Sequence, residues 1–156
     1  RFWFRFVYGN EDRYERLGVD AYETVIEPEL ADFVSQEFEN RCQDILPDFY
    51  PDLMFTDIGR WWYNEYEVDV VGFAADGTMV TGECKFTSAP LDYSALASLE
   101  SHTEEIRWSP DGADVEHKYA LFARNGFTQS VQDAAADRDD LQLVDLEEIV
   151  DPSASR

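Results

Sequence analysis

Residues 66–74 and 78–86 are two runs of aromatic and β-branched residues separated only by Ala75-Asp76-Gly77. So short a gap leaves them one arrangement, an antiparallel hairpin, and its three-residue loop needs positive φ at the last position, where glycine is least costly. With that loop Ala74 faces Thr78, and the register then places Asp69 opposite Glu83 and Glu67 opposite Lys85. A third run at residues 55–62 precedes the hairpin and extends the β region.

Helical patterns bracket these strands. Leu30, Phe33, Val34, Phe38, Cys42, Ile45 and Leu46 form a helical stripe that should stop at Pro47. After Pro90, Leu91, Ala95, Leu96, Leu99 and Ile106 repeat with helical spacing before Ser109-Pro110. A buried strand at 118–123, a helix at about 128–136 and a strand at 141–149 complete the pattern. The opening RFWFRFVY suits either a helix or an alternating strand, with helix preferred, and residues 9–28 read as a charged, turn-rich connector. The expected organisation is an aromatic segment and connector at 1–28, a domain at 29–150 and a tail at 151–156. The order α-β-β-β-α-β-α-β implies an α/β fold, a mixed β-sheet flanked by helices on both faces.

Composition narrows the function. In 156 residues, 34 Asp and Glu oppose 12 Lys and Arg, for a net charge of -22, which excludes a generic basic nucleic-acid binder. Disorder is excluded by 11 Phe, 8 Tyr and 4 Trp, enough apolar surface for one core. Only Lys85 and Lys118 are lysines, and carboxylates fill every polar stretch. That balance reads as adaptation to molar salt, where the Debye length shrinks to about 3 Å and self-repulsion is tolerable; an acidic partner-binding surface is the plainer alternative. Two cysteines with buried patterns, Cys42 and Cys84, point to a reducing cytoplasm, and no apolar run has the length of a membrane span. Residue 1 is Arg, so a longer parent protein is expected, and no P-loop or other nucleotide site is present in this stretch.

The chemistry concentrates on the hairpin. Like charges facing each other across a strand pair are destabilising unless compensated, and a divalent cation compensates them well. Mg²⁺ takes carboxylate oxygens at about 2.0–2.1 Å and keeps several waters. Period-two alternation puts Glu83 and Lys85 on one face and turns Cys84 to the other. Two acids and a lysine are the set that metal-dependent phosphodiester hydrolysis requires. The plainer reading is an exposed ion-pair cluster of Glu67, Asp69, Glu83 and Lys85. Arg60 suits a phosphate contact or a salt bridge. Trp61, Trp62 and Tyr63 suit nucleobase stacking, though packing is the commoner use of such a run. His102 and His117 lack zinc-ligand spacing, and the acidic faces around Glu100, Glu104, Glu105 and Asp137 to Asp140 read as solvated surface.

Val68-Asp69, the hairpin turn, Glu83-Cys84-Lys85 and an earlier helix bearing Phe38-Glu39 resemble the restriction-endonuclease-like nucleases, named for an aspartate and an Asp/Glu-x-Lys motif. RFWFRFVY, Ile58-Gly59-Arg60-Trp61-Trp62 and the stretch from Glu67 through Lys85 resemble the C-terminal domain of unknown function of archaeal and bacterial P-loop ATPases, over nearly the whole chain. The resemblance implies a restriction-endonuclease-like sheet behind an ATPase and a winged-helix segment. It implies Asp69 and Glu83 as ligands of Mg²⁺ or Mn²⁺, Glu39 as the helix glutamate supporting that metal and Lys85 as the catalytic lysine; Glu67, opposite Lys85 in the hairpin register, is expected behind them. Val68 stands where the named motif has proline. A helical wheel puts Glu37 nearer the apolar stripe than Glu39, with Arg41 as its surface partner; the resemblance selects Glu39.

Two functions follow as expectations. One is metal-dependent phosphodiester hydrolysis on DNA. The other is a non-catalytic module that regulates, contacts nucleic acid for, or oligomerises the upstream ATPase. In either case the isolated acidic chain should bind DNA weakly and gain affinity by tethering.

Overall fold

The computed structural model describes residues 1–112 and 114–152; of the expected tail, residues 153–156 lie outside the described residues. Two compact units divide the chain, residues 1–37 and 38–156.

The first unit is helical. A π-helical turn at Trp3–Val7 leads to α1 (Glu11–Leu17), short turns at Gly18–Asp20 and Tyr22–Ile26, and the start of α2 (Glu27–Phe49). The preference for helix at the N-terminus agrees with this, whereas the expected connector at 9–28 is helical instead. Its helices bury little besides Val25, so no apolar stripe announces them. Aromatic contacts hold the unit: the Phe6 ring lies 4.8 Å from that of Phe2 and 5.3 Å from that of Phe33.

The second unit is a five-stranded sheet in the order β1-β2-β3-β4-β5. Its strands are β1 (Phe55–Tyr63), β2 (Tyr66–Ala74), β3 (Thr78–Lys85), β4 (Glu116–Ala123) and β5 (Leu141–Asp145). The first three form an antiparallel meander, and β4 and β5 join in parallel. Parallel neighbours need crossovers. Helix α3 (Tyr93–Thr103) lies between β3 and β4, and α4 (Gln129–Ala136) between β4 and β5. The hairpin register is the expected one, from Phe73↔Met79 to Val70↔Gly82, and Gly77 turns the chain with φ 93°.

Helices cover both faces, as the element order implies. On one face Phe38, Cys42, Ile45 and Leu46 of α2 pack with Val70, Val80, Phe122, Val144 and Ile149. On the other, Leu96 and Leu99 of α3 and Val131 of α4 pack with Val71, Met79 and Leu121. Each fully buried side chain of this size contributes roughly 1.5–3 kcal/mol. Gly72 lets α2 lie close: a Cβ there would sit 2.8 Å from a Leu46 methyl and 2.6 Å from the Phe55 ring.

Two expected boundaries move. Helix α2 passes through Pro47 to Phe49, because Pro47 falls in the last turn, where the lost N–H costs one bond and the buried Ile45 and Leu46 hold the turn in place. The last strand ends at Asp145, and the chain continues as α5 (Leu146–Val150) instead of a strand to Ile149. Asp145 accepts from the backbone N–H groups of Glu147 and Glu148 while the Glu148 carboxylate reaches back to the Asp145 N–H, a capping box that starts the helix.

Candidate functional site

Pairing between β1 and β2 slips by one residue between Gly59↔Val71 and Trp61↔Val68, so Asp69 and Val70 together oppose Arg60 alone. This is a β-bulge, the device by which a strand re-aims one side chain. Val68 and Val71, three positions apart, both enter the core on the α3 side while Val70 enters the core on the α2 side. Asp69 is the residue displaced between them.

Three elements hold it there. One Asp69 carboxylate oxygen, Oδ2, accepts the backbone N–H of Cys84 on β3 at 2.9 Å. Its carbonyl accepts from Nε2 of Gln43 on α2 at 2.8 Å. The bulge itself is set by β1. The three antiparallel strands and α2 therefore fix one carboxylate at the end of the β2–β3 ladder.

Around it stand the other expected site residues. Lys85 Nζ lies 2.5 Å from Glu83 Oε1, and the Glu83 side chain is only 15% exposed. Arg60 makes an ion pair with Glu39 and lies 3.6 Å from Glu67. Nδ1 of His102 on α3 donates to the Glu67 carbonyl at 2.8 Å. Glu67 does not serve as the ion partner of Lys85, as the unbulged register suggests; it turns to Arg60, and Lys85 pairs along its own strand with Glu83. Arg60 lies inside the cluster as a bridge between Glu39 and Glu67, the salt-bridge alternative of the sequence reading.

The structure places Glu37 and Glu39 in different surroundings. Phe33 packs within the first unit while Phe38, Cys42, Ile45 and Leu46 pack on the sheet, so a single helical wheel merges two stripes. Glu39 and Gln43 precede Leu46 by seven and three residues and share its flank, beside β2. Glu37 pairs with Arg1 at 3.0 Å, and Arg41 donates to the carbonyls of Ile149 and Val150.

The electrostatics are those of acids crowded away from water. Burial raises the carboxyl of Asp69, against the lowering pull of the Cys84 N–H and the Lys85 charge. Burial and the nearby Asp69 charge raise Glu83, with Lys85 opposing. Burial and Asp69 also raise Glu39, with Arg60 opposing. Burial alone would lower the Lys85 ammonium, but its hydrogen bond and charge interaction with Glu83 prevail and keep it above its usual value. A cleft of about 350 Å³ opens beside Glu83 and Lys85, bounded by Thr87, Leu91, Asp92 and Ser94 at the start of α3.

Among the described residues no three His, Cys, Asp or Glu side chains converge as a ready-made cation cage. The donors nevertheless suit a hard divalent ion. Asp69 and Glu83 are carboxylates near enough for the charge of one to raise the other, and Mg²⁺ is commonly held by one or two carboxylates with waters completing its shell.

Gln43 belongs to this arrangement and escaped the sequence reading; His102, read there only as lacking zinc-ligand spacing, braces the arrangement through the Glu67 carbonyl. The signal for Gln43 was its spacing, four residues after Glu39 on one helix. For His102 no local signal exists, because its partner is a backbone carbonyl on a strand far away in sequence.

No curated protein matches the chain. Two solved structures show similarity: a repair endonuclease from Pyrococcus abyssi, at 19% identity and a TM-score of 0.40, covering 66% of this chain and 44% of that one; and the EndoMS-dsDNA2 complex, at 19% identity and 0.39, covering 66% and 42%. The chain thus spans less than half the length of either. A family model described as archaeal and bacterial proteins of unknown function, DUF234, matches residues 3–106, and the chain belongs to that family.

Proposed function

We propose that this chain hydrolyses phosphodiester bonds of DNA in a reaction dependent on Mg²⁺ or Mn²⁺, with Asp69, Glu83 and Lys85 as the reacting cluster and Glu39 beside it. The observation that carries the reading is the bulge: it displaces Asp69 from the β1–β2 pairing, with Gln43 on its carbonyl and its carboxylate on the N–H of Cys84, the residue between Glu83 and Lys85. A divalent ion held by Asp69 and Glu83, with Glu39 behind them, would supply Lewis acidity at the phosphate.

The chain's own residues do the rest. Gln43 and the Cys84 N–H fix Asp69, so the site needs no rearrangement to present it. Glu83 keeps Lys85 charged and oriented at the cleft, where an ammonium stabilises a phosphate gaining negative charge. Arg60 offsets Glu39 and Glu67, which limits repulsion of a polyanion at this end of the sheet. In the parent protein this domain would follow a P-loop ATPase and a winged-helix segment, and tethering to them would provide the DNA affinity that a net charge of -22 withholds.

Cleavage of plasmid and oligonucleotide DNA in molar KCl with Mn²⁺ tests the proposal, comparing the natural chain with Asp69→Ala and Lys85→Ala. Each substitution should lower the rate by about a hundredfold or more, the scale on which single electrostatic groups act. Equal rates in all three would overturn it. One observation favours a second reading, a non-catalytic module of the ATPase: Lys85 and Arg60 already have carboxylate partners, as structural ion pairs do. That reading requires nucleotide turnover or oligomeric state of the ATPase to change when the domain is attached, and unchanged values would count against it.

A further inference from the structure

The aromatic run at the end of β1 is not spent on the core. Trp61 packs against the apolar cluster under α3, but Trp62 is 70% exposed and Tyr63 58% exposed. Strand β1 is an edge of the sheet, and these rings stand at its free end, next to the tight turn at Asn64. With Glu105 and Arg107 they line a cavity of about 570 Å³. Ile106 is buried between the two charged residues, which pins their backbone to the core and leaves Arg107 outside it. Among the described residues Arg107 makes no ion pair. An arginine set beside three aromatic rings suits a ligand that is both planar and anionic.

We propose that this cavity binds an unpaired nucleotide of DNA, its base stacked on Trp62 or Tyr63 and its phosphate on Arg107. The proposal deepens the reading of the chain as a DNA-acting protein and rests on it for the choice of ligand. Stacking needs an open base face, which paired and stacked duplex does not offer, so the substrate class named is DNA with single-stranded or extruded nucleotides. Stacking also suits this molecule's charge. Phosphate contacts weaken steeply as salt rises, whereas base–aromatic contact is largely insensitive to it, so recognition by stacking survives where a -22 surface is tolerable. Glu105 gives the cavity a preference: a carboxylate accepts a hydrogen bond from the exocyclic amino group of cytosine, which thymine lacks. Arg60, two residues before Trp62 on β1, connects the platform to the Asp69 cluster through its ion pair with Glu39.

The test is fluorescence anisotropy of labelled oligo-dC, oligo-dT and duplex DNA with the whole chain in molar KCl without divalent ions. Oligo-dC should bind more tightly than oligo-dT, and both more tightly than duplex. Trp62→Ala should weaken single-strand binding about tenfold, and Trp62→Phe should restore most of it. Trp62 is exposed, so its replacement removes no core contact, and an unchanged circular dichroism spectrum verifies the fold. Single-strand binding by Trp62→Ala equal to that of the natural chain overturns the proposal. So does a Trp62→Ala variant whose only change is in oligomeric state by light scattering, which would make the rings a contact between copies. The two readings fail separately. Trp62-dependent binding without cleavage leaves the platform and removes the nuclease, whereas Asp69-dependent cleavage with Trp62-independent binding does the reverse.

Discussion

Asp69 is pulled in opposite directions by its surroundings. Burial disfavours its charge, while its position at the bulge lets Oδ2 take the Cys84 N–H. Asp69→Asn keeps the acceptor and removes the buried charge, so at neutral pH it should unfold at a urea concentration equal to or above that of the natural chain. Asp69→Ala leaves the Cys84 N–H without its partner and should cost about 1–3 kcal/mol. The same physics sets a pH dependence. Asp69, Glu83 and Glu39 are all raised in the folded state, chiefly by burial, so the native protein holds their protons more tightly than the unfolded chain. Unfolding free energy therefore falls as pH rises from the ordinary carboxylate range through these raised values. Urea titrations across that range should show a shallower fall for Asp69→Asn, and parallel curves would mean that Asp69 is ionised without cost. Of this cluster, the hairpin register and the shared face of Glu83 and Lys85 were legible, since both follow from counting across a three-residue loop. The bulge was not. It is created by pairing with β1, and Val68, Val70 and Val71, all buried, hide the break in alternation.

Long periodic elements read well because each buries one face, which leaves a repeat in the sequence: the three meander strands, α3, α4 and most of α2 stand where expected. Helix α1 and the turns after it left no such repeat, because they bury almost nothing. The last element was misread for another reason. In the run from Leu141 to Ile149, Leu141, Val144 and Ile149 are all buried, and apolar residues alone do not tell a long strand from a strand followed by a helix. The deciding signal was polar: Asp145 and Glu148, three residues apart, fit a capping box. The helix it starts brings Ile149 into the core with α2, where Arg41 takes the carbonyls of Ile149 and Val150. Asp145→Ala should then cost about 1 kcal/mol in urea unfolding, and Asp145→Asn, an equally good cap, much less. No loss in Asp145→Ala would mean that packing of Ile149 alone holds the helix.

Across the whole molecule 34 acidic residues face 12 Lys and Arg, and some arginines serve two acids. Arg60 serves both Glu39 and Glu67, and Arg138 reaches Glu100 at 2.6 Å and Asp140 at 2.9 Å while lying over the Tyr119 ring. Close pairs like these satisfy a few acids and leave most of the -22 charge to repel itself. Such repulsion is long-ranged at low ionic strength and is cut off when the Debye length falls from about 10 Å at 0.1 M salt to about 3 Å at 1 M. Folding brings the acids together, so screening must favour the folded chain more than the unfolded one. The urea midpoint should rise markedly between about 0.1 M and 1 M KCl; guanidinium is unsuitable as denaturant because it is itself a screening salt. KCl also acts on apolar hydration, and the two effects separate by pH. Near the isoelectric point, where net charge vanishes, screening has little to remove, and the same step in KCl should move the midpoint far less than at pH 7. Equal shifts at both pH values would assign the salt response to general surface exclusion and leave the acidic surface without a stabilising partner in screening.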